Sequence, residues 1–216
     1  MQQSEKFTAQ REQMARTQLE GRGIRDPRVL AAMREVPRHE FVPPEFQNQA
    51  YDDHPLPIGA GQTISQPYIV ALMLQHLSLQ PTDRALEVGT GSGYATALLA
   101  RLCAEVYSIE RHPELAVAAG ATLARLAFPN VHIRVGDGSQ GCSEHSPYDA
   151  ILVSAAAAEM PPALFAQLRE GGRLIIPIGP PFTQELHLVR KIQGNPEIQL
   201  LEGCRFVPLV EGEARP

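Results

Sequence analysis

The segment best suited to chemistry is Glu87-Val88-Gly89-Thr90-Gly91-Ser92-Gly93. Its alternating glycines remove side chains, so a ligand can approach the backbone closely. The spacing is GxGxG, not the GxGxxG of a dinucleotide fingerprint. A pyrophosphate wants a helix N-terminus free of nearby carboxylates, and Glu87 stands two residues before the first glycine. A carboxylate there suits a cationic or amine-bearing ligand. Two further acids are placed to extend the site. Glu110, 21 residues after Gly89, can accept hydrogen bonds from two ribose hydroxyls. Asp137, in Gly136-Asp137-Gly138, can accept a bond from an adenine amino group, and Gly138 allows a tight turn. Three acids at three successive strand ends match an adenosyl ligand without phosphates. S-adenosylmethionine, with its sulfonium and α-amino group, is the favoured ligand, and a dinucleotide oxidoreductase is second.

These positions need strands behind them, and the pattern supplies them. Residues 84–88, 105–109, 131–135, 150–153 and 174–178 read as strands. Residues 67–77, 94–102, 113–127 and 162–168 read as helices between them. Such alternation implies right-handed βαβ units and a doubly wound, mostly parallel sheet of Rossmann-like α/β class. Residues 186–192 and 198–201 flank Gly194-Asn195-Pro196 and read as a C-terminal antiparallel hairpin. Ahead of this core (66–216), residues 7–65 read as an extension with two helices in 7–36. The second helix opens on Asp26-Pro27, a cap followed by a first-turn proline. Residues 37–65, rich in Pro and Gly, read as a long irregular connection, a frequent home of function. Residues 1–6 read as a polar leader on a single domain, 7–216.

Composition narrows the class further. The 216 residues are 44% hydrophobic and 20% charged, ordinary for a globular domain. The net charge is −5 with 19 Lys and Arg, which speaks against a nucleic-acid partner. No apolar run is long enough to span a bilayer. Three separated cysteines, Cys103, Cys142 and Cys204, fit a reducing, cytoplasmic setting, and no metal site is expected.

Several motifs beyond the glycine loop resemble the protein-L-isoaspartate O-methyltransferase family. They are Arg22-Gly23-Ile24, Val36-Pro37-Arg38, Phe41-Val42-Pro43 and Leu56-Pro57-Ile58-Gly59. Next comes Gly61-Gln62-Thr63-Ile64-Ser65-Gln66-Pro67, the most specific because general methyltransferases lack it. Gly136-Asp137-Gly138, Gly171-Gly172-Arg173-Leu174 and Arg205-Phe206-Val207-Pro208-Leu209-Val210 complete the set. The likeness runs from about residue 14 to residue 212. One departure is Cys142, where the family usually has an aromatic residue.

The resemblance implies a class I fold and S-adenosylmethionine as methyl donor, leaving S-adenosylhomocysteine. The acceptor it implies is the free α-carboxylate of L-isoaspartyl residues in age-damaged proteins and peptides, with repair through a succinimide. It assigns Ser65 the active-site role, and Gln62, Thr63, Ile64 and Ser65 with the glycine loop (Gly89, Gly91) to the cofactor. Ile58, Gly59, Ser65, Val207, Leu209 and Val210 fall to the substrate. A monomer is expected.

The chemistry agrees. An isoaspartyl carboxylate with a pKa near roughly 3.5 is ionised at neutral pH and needs no general base. Positioning can then supply up to about 7–11 kcal/mol. Ser65 can donate to one carboxylate oxygen and aim the other. It could equally N-cap the helix that begins at Pro67. No GxSxG elbow surrounds it, which speaks against a hydrolase. The alternatives are a methyltransferase for a small-molecule or RNA hydroxyl or amine, and a non-catalytic adenosylmethionine-binding module.

Overall fold

A computed structural model describes residues 2–212, with side chains from residue 5. Helix α1 (Gln2–Met14) continues through a π turn (Ala15–Leu19) and a 3-10 turn (Glu20–Arg22). It begins at Gln2, not at residue 7, so most of the expected leader is helix. Gln, Glu and Lys, which dominate that stretch, have good helix propensity, and polarity alone does not bar a helix. Helix α2 (Pro27–Glu35) starts as expected: Asp26 Oδ1 accepts from the amides of Arg28 (2.8 Å) and Val29 (3.2 Å).

The connection to the core is more ordered than its composition suggests. It holds two 3-10 turns (Arg38–Phe41, Pro44–Gln49) and an antiparallel hairpin, β1 (Leu56–Gly59) with β2 (Gln62–Ile64). Ala60 and Gly61, both at positive φ, make its turn. Pro57 weakens the strand reading, and it is tolerated because a two-stranded ribbon is all edge.

Helix α3 (Pro67–Leu77) then leads into β3 (Arg84–Val88), α4 (Tyr94–Leu102), β4 (Glu105–Glu110), α5 (Pro113–Arg125) and β5 (Val131–Val135). β6 (Tyr148–Val153), the short α6 (Pro162–Ala166), β7 (Leu168–Ile178), β8 (Gln184–Ile192) and β9 (Asn195–Cys204) complete the chain. The seven-stranded sheet runs β5-β4-β3-β6-β7-β8-β9. β5 to β7 are parallel, and β8 and β9 add the antiparallel edge. The final hairpin turns at Gln193-Gly194, both at positive φ, so Asn195 and Pro196 belong to β9. This suits a two-residue type I′ turn better than the three residues read from the sequence.

Successive residues of the central strands feed opposite faces. Ala85, Ala150, Leu152 and Ile175 join the apolar cluster that contains Phe7, Met33, Leu74 and Leu98. Leu86, Val88, Ile151, Val153, Leu174 and Ile176 join the cluster on the other face. Both faces are covered, which explains the near-continuous apolar runs. The N-terminal helices thus share one core with the sheet.

One buried ion pair ties three elements. Arg173 of β7 donates Nη2 to Asp83 Oδ2 (2.6 Å) and Nε to the Leu77 carbonyl ending α3 (2.7 Å). Asp83 is 3% exposed and Arg173 8%. Asp83→Ala leaves a buried guanidinium uncompensated, so urea unfolding is expected to show a loss of about 3–5 kcal/mol. A loss below about 1 kcal/mol would mean that the pair is solvated.

Candidate active site

The central strand β3 has β4 on one side and β6 on the other, and the chain crosses over in opposite directions from it. A crevice forms at such a switch point, beyond the carboxyl ends of the strands. Here it is a cleft open to solvent. Its floor is the glycine loop with Ile109, Glu110 and Gly138. Residues 62–65 form one wall, and Phe206 to Val210 form the other. Gly89, Gly91 and Gly93 have φ of +90°, +53° and +88°, which explains three glycines in a row of five. Gly138 is required by space: a Cβ there would lie 2.4 Å from Val88 Cγ1.

Most of the residues singled out in the sequence meet here. Gln62, Thr63, Ile64, Ser65, Gly89, Gly91, Glu110, Gly138, Val207, Leu209 and Val210 all line the cleft. Ser65 lies two residues before α3 begins at Pro67. The N-cap is Gln66, and it makes no side-chain capping bond.

Four residues do not line it, and each has a physical reason. Glu87 is fully buried beneath the loop, where Oε2 accepts from Thr96 Oγ1 (2.5 Å) and Ser108 Oγ (2.6 Å). Ser108 in turn bonds the cleft residue Thr90 at 2.6 Å. Burial pushes the Glu87 carboxyl up to about 7, helped by Glu110 and opposed by the two hydroxyls. Glu87 is thus linked to the cleft through Ser108 and Thr90. Asp137 Oδ1 accepts from the Ser139 amide (2.9 Å) and hydroxyl (2.7 Å), and Oδ2 from the Gly212 amide (2.7 Å). Burial raises its pKa, but these bonds outweigh burial and hold it below the usual carboxylate range. Asp137 therefore caps a 3-10 turn and tethers the C-terminal segment. Ile58 and Gly59 sit on the β1–β2 hairpin behind the loop, with Ile58 Cδ1 3.2 Å from where a Cβ on Gly91 would be.

Glu110 both lines the cleft and organises it. Oε2 accepts from the Gly91 amide (2.7 Å) and Oε1 from the His112 amide (2.9 Å). The opposite wall is a short parallel bridge: the Ala156 amide donates to Val207 O (2.8 Å) and the Leu209 amide to Ala156 O (2.7 Å). Arg111 Nη1 reaches the carbonyls of Val210 (3.1 Å) and Gly212 (2.8 Å).

Sequence reasoning missed Thr90, Arg111, His112 and Ser154, all in the lining. Arg111, His112 and Ser154 directly follow β4 and β6, so the strand-end rule applied to every parallel strand would have found them. Ser108 carried no such signal, because its role depends on strand register against Glu87.

The donor set fits an adenosyl sulfonium. The carboxylate of Glu110 lines the cleft, and the glycine loop is free of basic side chains. Glu87 Oε1 is buried with no hydrogen-bond partner, in keeping with a carboxyl that desolvation raises to about 7.

Comparison with known proteins points the same way. Residues 9–214 match the family model described as protein-L-isoaspartate(D-aspartate) O-methyltransferase. A protein-L-isoaspartate O-methyltransferase of Koribacter versatilis is 53% identical over 204 residues, covering 94% of this chain and 92% of that one. One of Opitutus terrae is 56% identical over 202 residues, covering 93% and 87%. A Plasmodium falciparum structure titled as this enzyme with S-adenosyl-L-homocysteine superposes with a TM-score of 0.81. It is 31% identical and covers 95% of this chain and 99% of that one.

Two outcomes are expected. Glu110→Ala should weaken S-adenosylmethionine and S-adenosylhomocysteine alike, by at least about tenfold, because charge-assisted bonds contribute about 1.5–3 kcal/mol each. Unchanged calorimetric affinity for both would remove Glu110 from the site. Glu87 should make stability pH-dependent. Its folded pKa of about 7 lies above the ordinary 4.5. Its contribution is therefore full below pH 4.5 and is lost as pH rises through about 7, a change of about 3 kcal/mol. Glu87→Gln should lack that slope in denaturant titrations across the window. An identical slope would assign it to other groups.

Proposed function

The chain belongs to the protein-L-isoaspartate(D-aspartate) O-methyltransferase family, and we propose how its cleft carries out the reaction. It is an S-adenosylmethionine-dependent methyltransferase acting on L-isoaspartyl residues in protein repair.

S-adenosylmethionine supplies an electrophilic methyl on a sulfonium. The residues that would hold it are Glu110 at the ribose, the glycine loop and Gly138 along the adenosyl group, and residues 62–65 near the reacting end. The acceptor is the free α-carboxylate of the isoaspartyl residue, already ionised, so no base has to take its proton. The chain's task is orientation and exclusion of water. Ser65 donates its hydroxyl to one carboxylate oxygen, which leaves the other aimed at the methyl. Val207, Leu209 and Val210 form the wall against which the peptide lies. Of the lines of support, the placement of Ser65 counts most: it borders the cleft two residues before α3, whose N-cap is Gln66.

The same reading extends to the setting. Residues 7–216 act as one methyltransferase unit, monomeric and cytoplasmic, with damaged proteins as partners rather than nucleic acid or membrane. The net charge of −5 supports this, as do the free cysteines Cys103, Cys142 and Cys204. Among the described residues no helix is long and apolar enough to cross a membrane.

The test is transfer of labelled methyl to a short isoaspartyl peptide, with the aspartyl peptide as control, for the wild type and Ser65→Ala. Base-labile label on the isoaspartyl peptide alone is expected. Ser65→Ala should lower kcat by about tenfold or more while leaving cofactor affinity within about twofold, since an aligning bond acts in the transition state. Full turnover with early melting would make Ser65 structural.

A further inference from the structure

Arg38 lies behind the Ser65 wall and is 0% exposed. Its Nε donates to the Ala50 carbonyl and its Nη2 to the Ser65 carbonyl, both at 2.7 Å. Its Cζ is 4.8 Å from the ring centroid of Tyr94, which also lines the cleft. Nη1 is buried with no hydrogen-bond partner. Burial lowers the guanidinium to about 10, so it remains a cation at neutral pH.

A buried charge ordinarily comes with an opposite charge in contact, and among the described residues no carboxylate pairs with Arg38. Asp53 acts on it only from a distance. That carboxylate is committed to Arg22 and to the Tyr68 amide. An unneutralised cation therefore stands behind Ser65, at the wall of the cleft. A cationic cofactor gains nothing from a positive charge, whereas an anionic acceptor does. Arg111, the cation in the lining, is engaged with the Val210 and Gly212 carbonyls.

We propose that Arg38 is a positioning residue for the acceptor: it fixes the Ser65 backbone through Nη2, and its unpaired charge holds the substrate carboxylate at the Ser65 end of the cleft. It touches neither substrate nor cofactor, and it rests on the reading of Ser65 given above. Without it the site would lose its preference for an anion while keeping the adenosyl pocket.

The experiment compares wild type, Arg38→Lys and Arg38→Met. It measures kcat/KM for an isoaspartyl peptide, calorimetric affinity for S-adenosylmethionine, and the melting temperature. Arg38→Met should lose about tenfold or more in kcat/KM, the size of one charge interaction at intermediate dielectric. Its cofactor affinity should stay within about twofold, and its melting temperature is compared with that of Arg38→Lys, because loss of the unpaired buried charge stabilises while the Ala50 and Ser65 carbonyls lose their donor. Arg38→Lys should recover part of the loss by restoring the charge. Equal losses in Lys and Met, or a cofactor affinity that falls with peptide turnover, would make Arg38 a strut and overturn the proposal. Should Met not fold, Arg38→Gln, a neutral donor, carries the same comparison. Wild type that fails to methylate the peptide sinks the reading of the cleft itself. Wild-type activity with no Lys–Met difference sinks the role of Arg38 alone.

Discussion

A parallel sheet that grows in both directions from its central strand cannot close its carboxyl edge at that strand. β4 and β5 lie to one side of β3, and β6 and β7 to the other. The connections leave toward opposite faces, and a crevice stays open between them. Every feature of the site depends on that opening. The glycine loop and Glu110 lie at its floor, and the β1–β2 hairpin and C-terminal segment supply its walls.

Three acids that look alike in the sequence meet three environments at this edge, and environment decides what each does. Glu87, beneath the loop with two hydroxyl partners, has its carboxyl raised by desolvation. Glu110, on the floor, spends both oxygens on backbone amides and so holds the glycine loop in place. Asp137, under the C-terminal segment, caps a turn and tethers that segment. One chemical group, the carboxyl, thus gives a buried acceptor for two hydroxyls, a loop clamp and a tether.

The N-terminal elements belong to the same machine. Residues 62–65 are carried by a hairpin whose position is fixed from behind by Arg38, while Arg22 stacks on the Tyr68 ring at 3.4 Å. The motifs Arg22-Gly23-Ile24 and Val36-Pro37-Arg38 look inert in a linear reading, yet their arginines brace the wall that bears Ser65.

Local pattern determined much of this protein. The inner parallel strands and the helices between them were legible because burial on both faces leaves largely apolar runs with glycine and proline between them, and the edge strand β5 because its apolar residues alternate with polar ones. Asp26 as a cap and the glycine loop were legible for the same local reason. The β1–β2 hairpin was not, since a short ribbon with a proline lacks alternation. Nor were the true limits of the final turn, which positive φ at Gln193 decides. Within the site, residues 62–65, Gly89, Gly91 and Glu110 could be named from spacing and family likeness. The roles of Glu87, Asp137 and Arg38 could not. Each rests on a contact across the fold, to Ser108, to Gly212 or to the Ser65 carbonyl, 21, 75 and 27 residues away. Spacing along a chain fixes which residues reach a strand end. Whether a charge arriving there faces solvent, a ligand or a buried partner is set by what the rest of the chain packs against it, and only the tertiary structure decides that.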